Sequence, residues 1–202
     1  MKRRFIAQKL IQRLNEKILG QLNLRETLIL GIVLKGLPIA YSLASMNGVL
    51  KNFVPLVAQR QTYLEYQVES YFPSLEWRTY FNEQTDNCKG ILIVDDVVNT
   101  GFTKQKVESI VYSLNKEKKT VLPQRFAALV LNRRNLANPA FGNSDDFYAS
   151  EVNAANVECD WGTITIPLWD LQTEAALQRC EQYYQRFWQN EKRWINITYV
   201  NP

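Results

Sequence analysis

The chain has 202 residues, 46% of them hydrophobic and 22% charged, a net charge of +4 and no histidine. That length buries roughly 70% of the unfolded surface, ample for one core and thin for two. Without imidazole there is no Ser-His-Asp triad, Cys-His pair, histidine zinc site or histidine pH switch, so proton transfer near neutral pH falls to carboxylate, Lys, Tyr, Cys or the substrate.

From Phe5 to Leu22 the residues Ile6, Leu10, Leu14 and Ile18 recur every four positions, which predicts an opening amphipathic helix. Leu28 to Leu34 is a near-continuous apolar run, the pattern of a strand covered on both faces. A Lys-Gly turn and a helix from Leu37 to Met46 follow, with Pro38 in the first turn and Asn47-Gly48 closing it. Phe53 to Ala58 reads as a second strand, and the polar, aromatic stretch Gln59 to Gln84 stays unassigned, with room for an excursion or a loop. Ile91 to Val94 is a third strand ending on two acids. Val107, Ile110, Val111 and Leu114 then mark one buried stripe of a helix from Thr103 to Lys116. Phe126 to Leu131 is a fourth strand. The alternation predicts an α/β fold with a mainly parallel sheet and right-handed crossovers. Beyond Asn132 come turn residues with short apolar pieces such as Gly162 to Pro167, and a last helix starts near Thr173 with Leu177, Cys180, Tyr184 and Phe187 on one face.

Cys88, Cys159 and Cys180 form no CxxC pair, which argues against a disulfide framework or thiolate metal cage and fits a reducing cytoplasm. No apolar run reaches the roughly 20 residues of a membrane span, and Met1-Lys2-Arg3-Arg4 leads into no signal-peptide core, so a soluble, unprocessed protein is expected. The mild positive charge suits a polyanionic ligand without establishing nucleic-acid binding.

Chemistry concentrates in Ile91 to Thr103, ILIVDDVVNTGFT. A buried strand delivers Asp95 and Asp96 to the carboxyl end of the sheet, where open α/β sheets bind ligands. The turn Asn99-Thr100-Gly101-Phe102-Thr103 opens a helix whose first amides lack internal partners and sit at the positive end of its dipole. Gly101 permits close approach of an anion, and the hydroxyls of Thr100 and Thr103 add donors. A phosphate in the turn beside a hydroxyl-rich or metal-bound group at the carboxylates describes a sugar phosphate.

The segment resembles the phosphoribosyl-diphosphate (PRPP) signature of type I phosphoribosyltransferases. The resemblance implies that Asp95 and Asp96 hold the ribose, with Mg2+ bridging its hydroxyls and the pyrophosphate, and that Thr100, Gly101, Phe102 and Thr103 hold the 5′-phosphate. Gly31-Ile32-Val33-Leu34-Lys35-Gly36 is similar to the family's pyrophosphate loop, which makes Lys35 and Gly36 pyrophosphate contacts and Lys35 a stabiliser of the departing charge; in the family the peptide before this Lys can be cis. Thr62-Tyr63 falls where the family carries a mobile loop over the reacting centre. Asp146-Phe147 resembles the Asp-Phe of purine enzymes, which would make Phe147 a platform for the base, with Trp161 and Trp169 as further aromatic candidates. The implied architecture is one phosphoribosyltransferase-like domain: a core over about 23–135, a small hood from the N-terminal helix and about 136–172, and a C-terminal helix over 173–192. Family members are commonly dimers.

Two positions depart from the purine pattern. Asn99 stands where those enzymes place an Asp that handles the purine proton, and an amide is no base. Asn132 stands where 6-oxopurine enzymes carry a Lys that reads the base carbonyl. Both remain candidate base contacts, and the resemblance makes Asn99, within the signature, a PRPP contact as well. The resemblance thus implies transfer of a phosphoribosyl group to a nucleobase-like acceptor. The competing reading is a PRPP- or nucleotide-binding regulator with a protein partner, and nucleic-acid binding through the aromatic, basic segment from Tyr183 to Trp194 ranks third.

Overall fold

Five parallel strands carry the architecture of this computed structural model, which describes residues 2–33, 35–57, 59–60, 66–67, 85–116, 121–142, 145–160, 163–165 and 196–198. They are β2 (Thr27–Val33), β3 (Phe53–Val57), β6 (Gly90–Val98), β7 (Gln124–Asn132) and β8 (Phe147–Val152), in the spatial order β3-β2-β6-β7-β8. Side chains alternate between faces along each strand. On β6, Leu92 and Val94 pack under helices α1 (Ala7–Leu19) and α2 (Gly36–Met46), whereas Ile91 and Ile93 pack under α3 (Phe102–Lys116). Both faces are covered, which is why these strands read as unbroken apolar runs.

The chain leaves β2 toward β3 on one side and returns to β6 on the other. The carboxyl ends of β2 and β6 therefore flank the point where the strand order reverses, the place at which such sheets open a crevice for a ligand. Lys35 follows β2 at this point, and Asp95 and Asp96 arrive on β6.

The structure corrects several expectations. Phe5 and Ile6 belong to a strand, β1 (Lys2–Ile6), which pairs in parallel with β9 (Asn156–Asp160), and the helix starts at Ala7. Pairing to a distant segment outweighs the local helical pattern there. Helix α1 packs on the core, with Leu10, Leu14 and Ile18 buried. Strand β8 lies within the range expected for the hood, yet it is the fifth strand of the core, because Phe147, Tyr148 and Ala149 are buried on pairing with β7. Strand β6, expected to end on the two acids, runs on past them to Val98. Elsewhere, β4 (Gln59–Arg60) pairs with β5 (Tyr66–Gln67), and β10 (Thr163–Thr165) pairs with β11 (Asn196–Thr198). Thr62-Tyr63, Leu34, Trp161, Trp169 and the helix expected over 173–192 lie outside the described residues.

Candidate active site

Asp95 and Asp96 stand side by side at the crevice, each half-buried. Asp96 N donates to Asp95 Oδ1 at 2.8 Å, and Lys35 Nζ lies 3.8 Å from Asp96 Oδ2. Burial, and after it the charge of Asp96, pushes the Asp95 carboxyl well above the usual carboxylate range. Burial also raises Asp96, against the opposing pull of Lys35. Two acids held this close, with one half-exposed ammonium 3.8 Å from Asp96, are destabilised when ionised. Hydroxyls or a cation would relieve that.

Gly36 begins α2, and the close approach is what demands glycine: a Cβ there would collide with Val94 O and fall 2.9 Å from Asp95 Cα. The Lys35–Gly36 backbone therefore rests directly on β6 beside the carboxylates. Two helix N-termini, those of α2 and α3, open at the same edge of the sheet, and neither has an acid in its first turn. Each offers amides at the positive end of a helix dipole to an anion.

The turn after β6 spans Asn99 to Gly101, with α3 starting at Phe102, so Phe102 and Thr103 sit in the first helical turn. Gly101 has φ +84, and a methyl group there would lie 2.7 Å from Phe141 Cβ. Phe141 packs its ring over the turn and faces Phe102 at a centroid distance of 6.3 Å. Ala137 N donates to Thr100 O at 3.0 Å, tying the same turn to the segment after β7. Sequence reasoning missed Phe141, because nothing local links it to a turn forty residues earlier.

Beneath the turn lies a buried ionic network it also missed. Lys104 Nζ meets Glu108 Oε1 at 2.9 Å and Asp146 Oδ2 at 3.1 Å, and lies 5.5 Å from the Phe126 ring centroid. Asp146 accepts from Phe126 N at 3.1 Å, and Tyr148 OH donates to its Oδ2 at 3.1 Å. Burial pushes the Tyr148 hydroxyl up, with the Asp146 charge adding to it. The network anchors the first turn of α3 to the edge strand. The Asp of the Asp-Phe pair thus has a packing role.

On the β7 side of β6 the polar groups bond to one another. Asn99 Oδ1 accepts from Asn132 Nδ2 at 3.0 Å and from Asn135 Nδ2 at 2.9 Å. Asn132 Nδ2 also donates to Ala154 O at 2.9 Å, and its Oδ1 accepts from Ala154 N at 3.2 Å. Asn132 is fully buried, so the expectation that it reads a base is corrected: its amide bolts the residues after β8 to the end of β7. Phe147 is corrected likewise. It is buried opposite Ala127 at the amino end of β8, the far end from the crevice, and packs in the core. Cys159, on the β1–β9 ribbon, is close enough to feel both Asp96 and Lys35; burial first, then the Asp96 charge, pushes its thiol up to about 12. A thiol raised in this way stays protonated near neutral pH, and the thiol is a weaker nucleophile than the thiolate.

Among the described residues no three Cys, Asp or Glu side chains converge as a metal cage, and no helix is long and apolar enough to cross a membrane. A divalent cation would find Asp95 and Asp96 alone and would need oxygens from a bound ligand to complete its shell.

No protein-family model matches the chain, and no curated protein matches it by sequence. Solved structures do. The chain is similar to a purine phosphoribosyltransferase from Pyrococcus horikoshii Ot3, at 17% identity and a TM-score of 0.52 over 80% of this chain and 93% of that one. It is also similar to a xanthine-guanine-hypoxanthine phosphoribosyltransferase from Helicobacter pylori, at 11% identity and a TM-score of 0.51 over 80% of this chain and 92% of that one. The α/β architecture with its reversal point between β2 and β6 is the phosphoribosyltransferase fold.

Proposed function

We propose that the protein is a phosphoribosyltransferase, which moves the 5-phosphoribosyl group of PRPP to a nucleobase-like acceptor and releases pyrophosphate. The observation that carries this reading is the convergence, at one reversal point, of two helix N-termini, a half-exposed lysine and a pair of acids with raised affinity for protons. Asp95 and Asp96 accept from the ribose hydroxyls. Thr100, Gly101, Phe102 and Thr103 hold the 5′-phosphate on the first turn of α3, with Phe141 fixing the turn. Lys35 and Gly36 hold the pyrophosphate at the start of α2. As C1 separates from the leaving oxygen, negative charge builds on the pyrophosphate, and the Lys35 ammonium and the first amides of α2 are the groups that would stabilise it. No proton need move on that side, which agrees with a chain lacking histidine.

Mg2+ fits this reading: the two carboxylates supply a hard, oxygen-only donor set, and the ion would neutralise pyrophosphate charge. Residence in the cytoplasm and assembly as a homodimer belong to the same proposal. The test is PRPP-dependent thermal stabilisation in the presence of Mg2+, with pyrophosphate release on adding acceptors. Stabilisation of the wild type and its loss in Asp95→Asn/Asp96→Asn support the reading; equal stabilisation of both sinks it. One observation favours a second reading, a PRPP-binding regulator: the amide of Asn132 and the carbonyl of Asn99 are bonded within the protein. Binding without release on any acceptor would select it.

A further inference from the structure

The two helix N-termini at the crevice rest on different supports. At the start of α2, Gly36 lies directly against Val94 and Asp95, so that end is carried by the central strand β6. The start of α3 is held from the edge of the sheet instead. Lys104, in the first turn of α3, is buried and meets Asp146 Oδ2, just before β8, at 3.1 Å. Phe141 lies against Gly101 in the turn itself. Tyr148, on β8, joins these two holds. Its hydroxyl lies 3.1 Å from Asp146 Oδ2 and 3.4 Å from the carbonyl oxygen of Phe141. A phenol has one proton, so the two oxygens share a single donor. Asp146 has others: Lys104 Nζ on the same oxygen and Phe126 N on Oδ1 at 3.1 Å. Phe141 O has no other donor among the described residues. The tyrosine ring is buried with Val107, Val111 and Phe126, which fixes where the hydroxyl stands.

We propose that Tyr148 is a positioning residue for the phosphate turn, fixing Asn99 to Gly101 and the first amides of α3 through its bond to Phe141. The inference rests on the phosphoribosyltransferase reading and concerns its 5′-phosphate subsite alone. Backbone amides hold an anion well only when they are already in place, because ordering them on binding consumes part of the affinity. Strand β8 is separated from β6 by β7, yet it acts on the turn through one hydroxyl and one ring. The start of α2 shares none of these contacts, so the two anion subsites respond separately to a change at Tyr148.

Tyr148→Phe removes the hydroxyl and keeps the buried ring, while Asp146 retains Lys104 and Phe126 N. Affinities of the full chain and the variant are measured by isothermal titration for two ligands: ribose 5-phosphate, which needs the turn after β6, and pyrophosphate with Mg2+, which needs Lys35 and Gly36. The variant is expected to bind ribose 5-phosphate about tenfold more weakly, the size of one lost hydrogen bond, and pyrophosphate as the wild type does. Phe141→Leu, which keeps the carbonyl and takes the ring off the turn, should give the same split. Unchanged affinity for ribose 5-phosphate in both variants overturns the inference. So does an equal loss for both ligands, which would be a general loosening of the fold. A wild type that does not bind both ligands overturns the phosphoribosyltransferase reading, and the inference with it, before any variant is compared.

Discussion

The two sides of β6 treat polar groups in opposite ways. Toward β2, Asp95 and Asp96 are acids crowded together in a half-buried crevice, with burial disfavouring their charge and one lysine 3.8 Å away as partial relief. Toward β7, three asparagines and the Ala154 backbone satisfy one another at 2.9 to 3.2 Å and carry no charge. Groups left in an unfavourable state mark where a ligand is to complete the structure, and groups bonded to each other mark where the structure is already complete. Proximity to the crevice does not distinguish them, and bonding state does.

The strongest way to break that contrast is to neutralise the first side. Asp95→Asn/Asp96→Asn is expected to weaken PRPP binding about 10³-fold, since two hydrogen bonds to charged acceptors are worth roughly 2 kcal/mol each. Isothermal titration with PRPP and Mg2+ checks it, and a change under tenfold would show that the acids are not ligand groups. Next in size is the second side. Asn132→Ala strands the buried Ala154 N–H and C=O, at a cost of about 3 kcal/mol, or roughly 10 °C in Tm. A loss under 1 kcal/mol in denaturant unfolding would show that the bolt is dispensable. Smaller still is Gly101→Ala, which forces a methyl group into the left-handed region at about 1–2 kcal/mol and against Phe141. Adding Phe141→Ala should recover the steric part and leave the backbone part, so the double variant should sit between Gly101→Ala and the wild type in PRPP affinity.

These contrasts were unevenly legible in the sequence. The apolar run Ile91 to Val94 announced a strand because both of its faces are covered, and the Asn-Thr-Gly turn announced a helix start because Gly101 alone tolerates φ +84 there. The contact between Asn99 and Asn132 is another matter. The residues are 33 apart and meet because β6 and β7 are adjacent, which no local pattern encodes. The Asp-Phe pair misled for a related reason: a dipeptide does not say which end of a strand it occupies, and the register with Ala127 puts Phe147 at the end away from the crevice. Phe5 and Ile6 fit a helical period and yet form a strand, because β9 supplies a partner from the other end of the chain.

The smallest effect tests the contrast without any ligand. An acid whose folded-state pKa is raised binds its proton more tightly in the native protein than in the unfolded chain, where it ionises near 3.8. Its contribution to stability is then fully present below 3.8 and is lost as pH rises through the raised values of Asp95 and Asp96. The free wild-type protein should therefore lose stability from this pair as pH climbs toward neutrality, and Asp95→Asn/Asp96→Asn should not. Glu108, raised by burial, and Glu26, lowered by its bond to Lys89, titrate alike in both proteins and cancel in the difference. The variant is thus expected to be more stable than the wild type at pH 7, by a margin that closes on acidification, while being unable to bind PRPP. Denaturant unfolding at a series of pH values reads the difference directly. A constant gap would mean that the two acids carry no strain in the free protein, and the distinction between a side held ready for a ligand and a side already complete would fail.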